Sequence, residues 1–251
     1  MRRSRIYCET PLSTGQRLDL DQRNSHYLLH VLRVKPGQAL VLFDGSGNDY
    51  AASVTDVSRK TVSVAVEAAI ENHRANTESP LQTTLAIAIS KGERMDWVMQ
   101  KATELGVSRI VPLISQRVDV KLNEQRMAKK LEHWRGIVIA ACEQSGRARL
   151  PLLETAAKLE TWLGKAEQDI GLTLSANGQP LTPLSQSLTK TPESVTVLIG
   201  PEGGLTADEI NLSEQAGFIG ISMGPRILRT ETAPIVALSL IQNLWGDFNP
   251  A

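Results

Sequence analysis

The period of apolar and polar positions changes once along the chain, and the change predicts two architectures in one molecule. Upstream, LVLFDGSGNDYAASVTDV holds two alternating runs around a Gly-Asn-Asp turn, and SRKTVSVAVEA adds a tight turn and a third run. Alternation at period two is the mark of half-buried strands, so a small barrel or meander is expected here. Between the runs, NSHYLLHVLRVKPG reads as one short helix, capped by Asn24 or Ser25, ended by Pro36-Gly37, with His26, His30 and Arg33 on one face.

The polar segment Glu71 to Pro80 reads as a linker, which places the domains at residues 1–72 and 73–251. Beyond it, strands alternate with helices, the signature of a mostly parallel α/β sheet. The strand candidates are Leu85 to Ile89, Arg109 to Leu113, Ile170 to Leu174, Val195 to Ile199 and Phe218 to Ser222. Met95, Val98, Met99, Ala102 and Leu105 recur at helical spacing and predict a core-facing helix stopped by Gly106. A longer helix carries Met127, Leu131, Trp134, Val138 and Ala141 on the side that faces either the core or a second subunit. The stretch SANGQPLTPLSQSLTKTPES reads as a polar loop.

Composition narrows the partners. The 251 residues contain no apolar run of the ~20 residues that span a bilayer, and MRRSRIYCET lacks the apolar core of a leader, so a cytoplasmic protein is expected. Lys plus Arg and Asp plus Glu both number 27, so no net field draws a polyanion from afar, and nucleic-acid contact needs local patches. Arg2, Arg3 and Arg5, the run from Lys121 to Arg135, and Arg147 with Arg149 provide them. Cys8 and Cys142 form no CxxC pair, and His26 and His30 lack a visible third ligand, so no metal is expected.

The chemistry gathers in two late turns. VTVLIGPEGGLTADE runs from a short strand through Gly200-Pro-Glu-Gly-Gly204 into a helix opened by a Thr206/Glu209 capping box. Glycines there admit close approach to the backbone, yet neither GxxxxGK[ST] nor GxGxxG is present. ISMGPRILRTETAPIVAL repeats the plan: a strand end, a turn at Gly224-Pro225, then a helix with Pro234 in its first turn. Both turns fall at the C-terminal edge of one sheet, where open α/β sheets bind ligands.

IGPEGG, MGPRILRTETA, SKGERMDWVMQKATELGV and ACEQSGR, together with the basic N-terminal Arg-Ile-Tyr and HVLR, resemble the RsmE family of 16S rRNA uridine-N3 methyltransferases, of the SPOUT class. That resemblance implies a SPOUT-type parallel sheet with a C-terminal deep trefoil knot and a small PUA-like β-barrel before it. It also implies a homodimer that binds S-adenosylmethionine and acts on 16S rRNA within the small ribosomal subunit.

Carried over by motif, the cofactor loops run from Leu172 to Ser175, Ile199 to Gly204 and Ile221 to Thr230, and supply above all Leu172, Leu174 and Ser175; Ile199, Gly200, Pro201, Gly203 and Gly204; and Ile221, Met223, Gly224, Leu228, Arg229 and Thr230. Uridine N3 carries a proton, so the reaction needs that proton removed or the resulting anion stabilised. Arg229 is the first candidate and Arg226 the second, with Glu202 or Glu231 as a base or an orienting group. Arg2, Arg3, Arg5, His30, Arg33 and Arg147 are the candidates for rRNA contact. Two rivals remain open at this level: a SPOUT enzyme acting on a ribose 2'-hydroxyl or a tRNA base, and a non-catalytic RNA-binding protein. A serine hydrolase does not fit, since Glu143-Gln144-Ser145-Gly146 lacks the GxSxG elbow.

Overall fold

A computed structural model describes residues 4–70, 77–118 and 123–248. They form two compact units, one reaching to Glu78 and including Cys142–Leu150, the other made of Ser79–Ala141 and the chain from Pro151 on. The division expected between residues 72 and 73 lies outside the described residues.

In the first unit, β1 (Arg5–Tyr7), β2 (Arg17–Asp19), β3 (Ala39–Phe43), β4 (Asp49–Val57) and β5 (Val62–Ile70) form one sheet in the order β1-β3-β4-β5-β2. Only the β1–β3 pairing is parallel. Alternation decides which face is buried: Val62, Val64 and Val66 turn into the core with Ile6, Leu28, Leu40 and Leu42, while Ser63 and Ala65 do not.

The helix between β2 and β3 departs from expectation. It is a short α1 (Gln22–His26) that continues as a π-helical turn over Tyr27–Leu32 and ends at Arg33 with φ 50°. Asp21 is the cap, its carboxylate accepting the Asn24 N–H at 2.7 Å. Asn24 and Ser25, expected as caps, are buried instead, where Asn24 Nδ2 donates to Tyr7 O and Ser25 Oγ to Leu20 O. Short polar residues that satisfy backbone carbonyls leave the same sequence signature as caps.

The second unit contains β6 (Gln82–Ala88), α2 (Arg94–Glu104), β7 (Arg109–Ile114), α3 (Glu124–Ser145), whose last turn counts with the first unit, β8 (Leu152–Leu153), β9 (Ala157–Lys158) and α4 (Leu159–Leu163). It continues through β10 (Ile170–Pro180), α5 (Leu181–Ser187), β11 (Ser194–Ile199), α6 (Ala207–Gln215), β12 (Phe218–Ser222) and α7 (Thr232–Trp245). The sheet runs β12-β10-β11-β6-β7-β8, with β9 also paired to β7, and every pairing is parallel.

Both faces are covered, as a parallel sheet requires. Leu85 and Ile87 of β6 and Val195 and Val197 of β11 pack with Met95 and Met99 of α2, Trp134 and Val138 of α3, and Ala237 and Ile241 of α7. Ala86 and Leu198 point the other way, into a smaller core with Leu159, Leu163 and Phe218. The apolar stripe of α3 therefore faces the core.

One segment read as loop is ordered structure. Strand β10 runs past Leu174, because Leu174 and Gln179 both lie opposite Ile221 of β12 and the residues between them are pushed out of register. Gly178 permits this, since a Cβ there would come 2.3 Å from the Ile221 carbonyl carbon. Leu181 and Leu184 then bury α5 against the main core. The polar composition of SANGQP hid the strand.

Candidate active site

The chain order brings three loops together. Strands β12, β10 and β11 are adjacent and parallel, so the residues following each lie along one sheet edge. Between them is a cavity of about 260 Å³, close to the lower end of the usual small-molecule range of ~300–1,000 Å³. Ser175 and Ala176 come from the bulge in β10, Gly200 to Glu202 from the turn after β11, and Met223 to Leu228 from the turn after β12. A larger depression of about 640 Å³ opens at the opposite ends of the strands. It is lined by ordinary surface groups, among them an Arg109–Glu154 ion pair at 3.3 Å, and no glycine lines it.

The turn after β11 is fixed locally. The Gly204 N–H closes it on Pro201 O at 2.8 Å, and Thr206 and Glu209 exchange both capping-box hydrogen bonds. Glu209 is fully buried, and its second carboxylate oxygen accepts the Gln116 N–H at 2.8 Å, so the helix start is tied to the second residue after β7. At Gly200 space is limiting: a Cβ would lie 2.8 Å from Leu205 N and 3.0 Å from Leu205 Cγ. The turn thus folds back on a position without a side chain and leaves its cavity side open.

The structure sorts the residues expected from sequence. Leu174, Ser175, Ile199, Gly200, Pro201, Gly204, Met223, Gly224, Leu228 and Thr230 all line the cavity. Leu172 and Ile221 are fully buried among the core side chains, and Gly203 faces Arg117, with its Cβ position 3.3 Å from Arg117 Cδ. Ser222, Pro225 and Ile227, within the expected third loop, line it too, while Ala176, Leu205 and Ala233 line it and were missed. Ala176 could not have been found, because the bulge that presents it depends on β12.

Among the charged candidates, Arg226 and Glu202 line the cavity, whereas Arg229 and Glu231 do not. The Arg229 side chain is 82% exposed, with Nη1 3.9 Å from a Glu231 oxygen. Partial burial alone would raise the Glu202 carboxyl. Hydrogen bonds from its own backbone, from the Lys91 N–H and from Arg94 outweigh that and hold it below the usual carboxylate range. A carboxylate so held is a poor base. The Thr230 hydroxyl is the opposite case, a buried group on the cavity wall with no hydrogen-bond partner among the described residues.

Two of the arginines expected to contact RNA have other work. Arg5, 13% exposed, donates to Asp49 Oδ1 at 2.6 Å and to the carbonyls of Cys142 and Arg147, and lies over the Phe43 ring. Arg147, 5% exposed, reaches Glu78 through Nε at 3.1 Å and through its second terminal nitrogen at 2.7 Å. Both brace the interior of the first unit, a role that a basic residue in sequence does not announce. His30 and Arg33 are exposed, beside exposed Tyr27 and Val31, with the His26 and His30 rings 4.5 Å apart. Arg2 and Arg3 lie outside the described residues. Among those residues no cluster could hold a metal ion, and no helix is long and apolar enough to cross a membrane.

Comparison with known proteins places this geometry. A family described as an RNA methyltransferase domain matches residues 77–242, and one described as an RNA methyltransferase PUA domain matches residues 20–67. Ribosomal RNA small subunit methyltransferase E of Buchnera aphidicola is 33% identical over 97% of this chain and 94% of its own. A methyltransferase from Legionella pneumophila solved with the bound cofactor SAM superposes with a TM-score of 0.92, at 41% identity over 99% of this chain and all of the other. The ribosomal RNA small subunit methyltransferase E of Neisseria gonorrhoeae, bound to S-adenosyl methionine, gives 0.89 at 38% identity, again over 99% of this chain and all of its own.

Proposed function

The chain belongs to the ribosomal RNA small subunit methyltransferase E family, and from that premise we propose that it transfers a methyl group from S-adenosylmethionine to N3 of a uridine in 16S rRNA. The observation that carries the reading is the cavity itself: three loops from adjacent parallel strands enclose it, and an arginine stands on its wall.

The cavity suits this cofactor. Gly200, Gly204 and Gly224 line it with backbone that carries no side chain, Leu174, Ile199, Met223 and Leu228 offer apolar surface, and the Thr230 hydroxyl, without a hydrogen-bond partner among the described residues, can bond a polar group. When bound, S-adenosylmethionine supplies an electrophilic methyl group on a charged sulfur.

The remaining task belongs to the protein. Uridine N3 attacks only once its proton has gone, and the charge then spreads to the two flanking carbonyl oxygens. Arg226, in place on the wall, is the residue we assign to stabilise it, in preference to Arg229. Glu202 is assigned an orienting role, because Arg94 already pairs with it.

The wider proposal comprises rRNA contact through His30 and Arg33, with Arg2 and Arg3, by a PUA-like domain; action in the cytoplasm on the assembled small subunit; and a homodimer. It includes a deep trefoil knot, supported by a strand order in which β11 inserts between β6 and β10 while β12 lies outside β10. The test is incubation of small subunits or 16S rRNA lacking the modification with the protein and the cofactor, followed by nucleoside mass spectrometry and primer extension. A 3-methyluridine and a matching extension stop are expected. A ribose methyl group, or no transfer, would refute the assignment.

A further inference from the structure

The loops after β11 and β12 are separate in sequence, and one side chain joins them. Arg94, the first residue of α2, reaches Glu202 with Nη1 at 2.5 Å and Glu231 with Nε at 3.7 Å. Glu202 sits in the turn after β11 and lines the cavity. Glu231 stands immediately before α7, at the end of the loop after β12, and its side chain makes no capping hydrogen bond. Both carboxylates are partly withdrawn from water, with side chains 40% and 22% exposed, and Arg94 itself is 44% exposed. Unpaired, they would repel each other across the gap between the loops.

Resting on the function proposed above, we propose that Arg94 is a positioning residue that holds the two cofactor loops in one arrangement before the cofactor binds. Its guanidinium suits the task, because its charge is spread over three nitrogens: Nη1 donates a hydrogen bond to Glu202 while Nε faces Glu231 as an ion pair too long for a hydrogen bond, a division that a point-like ammonium cannot make. Arg117 grips the same turn from another side, donating to Gly203 O at 2.6 Å and to Leu205 O at 3.5 Å. Arg94, by contrast, forms ion pairs with a carboxylate in each of the two loops.

If the loops are aligned in advance, cofactor binding need not spend its own energy aligning them. Arg94→Met keeps the length of the side chain and removes the charge. S-Adenosylmethionine binding, measured by titration calorimetry, is expected to weaken on the order of tenfold. Arg94→Lys, able to keep one pair, should fall between. Adding Glu202→Gln or Glu231→Gln to Arg94→Met should cost less than twofold more, since the partner has already lost its interaction, and KM for rRNA should stay within twofold.

Wild-type affinity in Arg94→Met, or losses that simply multiply in the double variants, would overturn the inference. Full recovery by Arg94→Lys would also overturn it, because two-point bridging would then be unnecessary. Failure of the wild-type protein to bind the cofactor would instead remove the proposed function, so the two failures are distinct.

Discussion

Gly200→Ala is the most direct perturbation of the candidate site, because the damage can be worked out from the backbone. The added methyl would lie 2.8 Å from Leu205 N, 3.0 Å from Leu205 Cγ and 3.1 Å from the Gly204 carbonyl carbon. Two of these neighbours are backbone atoms, so the turn itself must shift by several tenths of an ångström. Overpacking of this kind costs about 1–3 kcal/mol. Part of the cost falls on the folded protein and part on the cavity wall, and ~1.4 kcal/mol assigned to binding is a tenfold rise in Kd.

Gly203→Ala is the control. Its methyl meets only Arg117 carbons, the nearest at 3.3 Å, and a flexible side chain can move aside. Thermal unfolding reads both effects. At a cofactor concentration 100 times the wild-type Kd, bound cofactor stabilises wild type by about 2.7 kcal/mol but a tenfold weaker variant by only about 1.4 kcal/mol. The apparent Tm of Gly200→Ala should therefore fall without cofactor and rise less when it is added, while Gly203→Ala tracks wild type. Equal behaviour of the two variants, or the reverse order, would refute the reasoning, since sequence alone makes them equivalent.

Four other outcomes are expected. Arg226→Met should lower the rate of methyl transfer by about 10²–10³, as loss of a donor to a developing oxyanion does, and Arg229→Met by less than tenfold; single-turnover kinetics with radiolabelled cofactor would measure both. Arg147→Met leaves the Glu78 carboxylate without its counter-charge, though still accepting the Arg149 N–H, and should destabilise the protein by about 1–3 kcal/mol in urea titrations, while the salt dependence of rRNA binding stays unchanged. Thr206→Ala removes one half of the capping box and should cost ~1 kcal/mol by the same titration.

The cysteines give a pH test. Burial pushes Cys8 and Cys142 up from 9.0 to about 12, so neither should react with a thiol reagent at pH 8 until the chain is unfolded. A raised thiol pKa in the folded state adds stability that is fully present below pH 9. It is lost as pH climbs toward 12, at about 1.4 kcal/mol per pH unit for each thiol.

Much of this molecule could be read from sequence because its local signals agree. Alternation in VSVAVEA, the helical stripe from Met95 to Ala102 and the capping box at Thr206 each depend on neighbours within a few residues, and each element lies where expected. The two glycine-proline turns were visible for the same reason.

Tertiary structure decided whatever depends on a partner distant in sequence. β10 continues past Leu174 only because β12, more than forty residues away, offers Ile221 twice, and the resulting bulge carries Ala176 into the cavity. Arg5 and Arg147 look like RNA ligands until Asp49 and Glu78 are placed beside them. Motif position puts Arg229 ahead of Arg226, three residues away, yet Arg226 lines the cavity and Arg229 does not. Propensity and capping act over a few residues of chain, whereas the orientation of a charge is set by whichever counter-charge the fold brings near it.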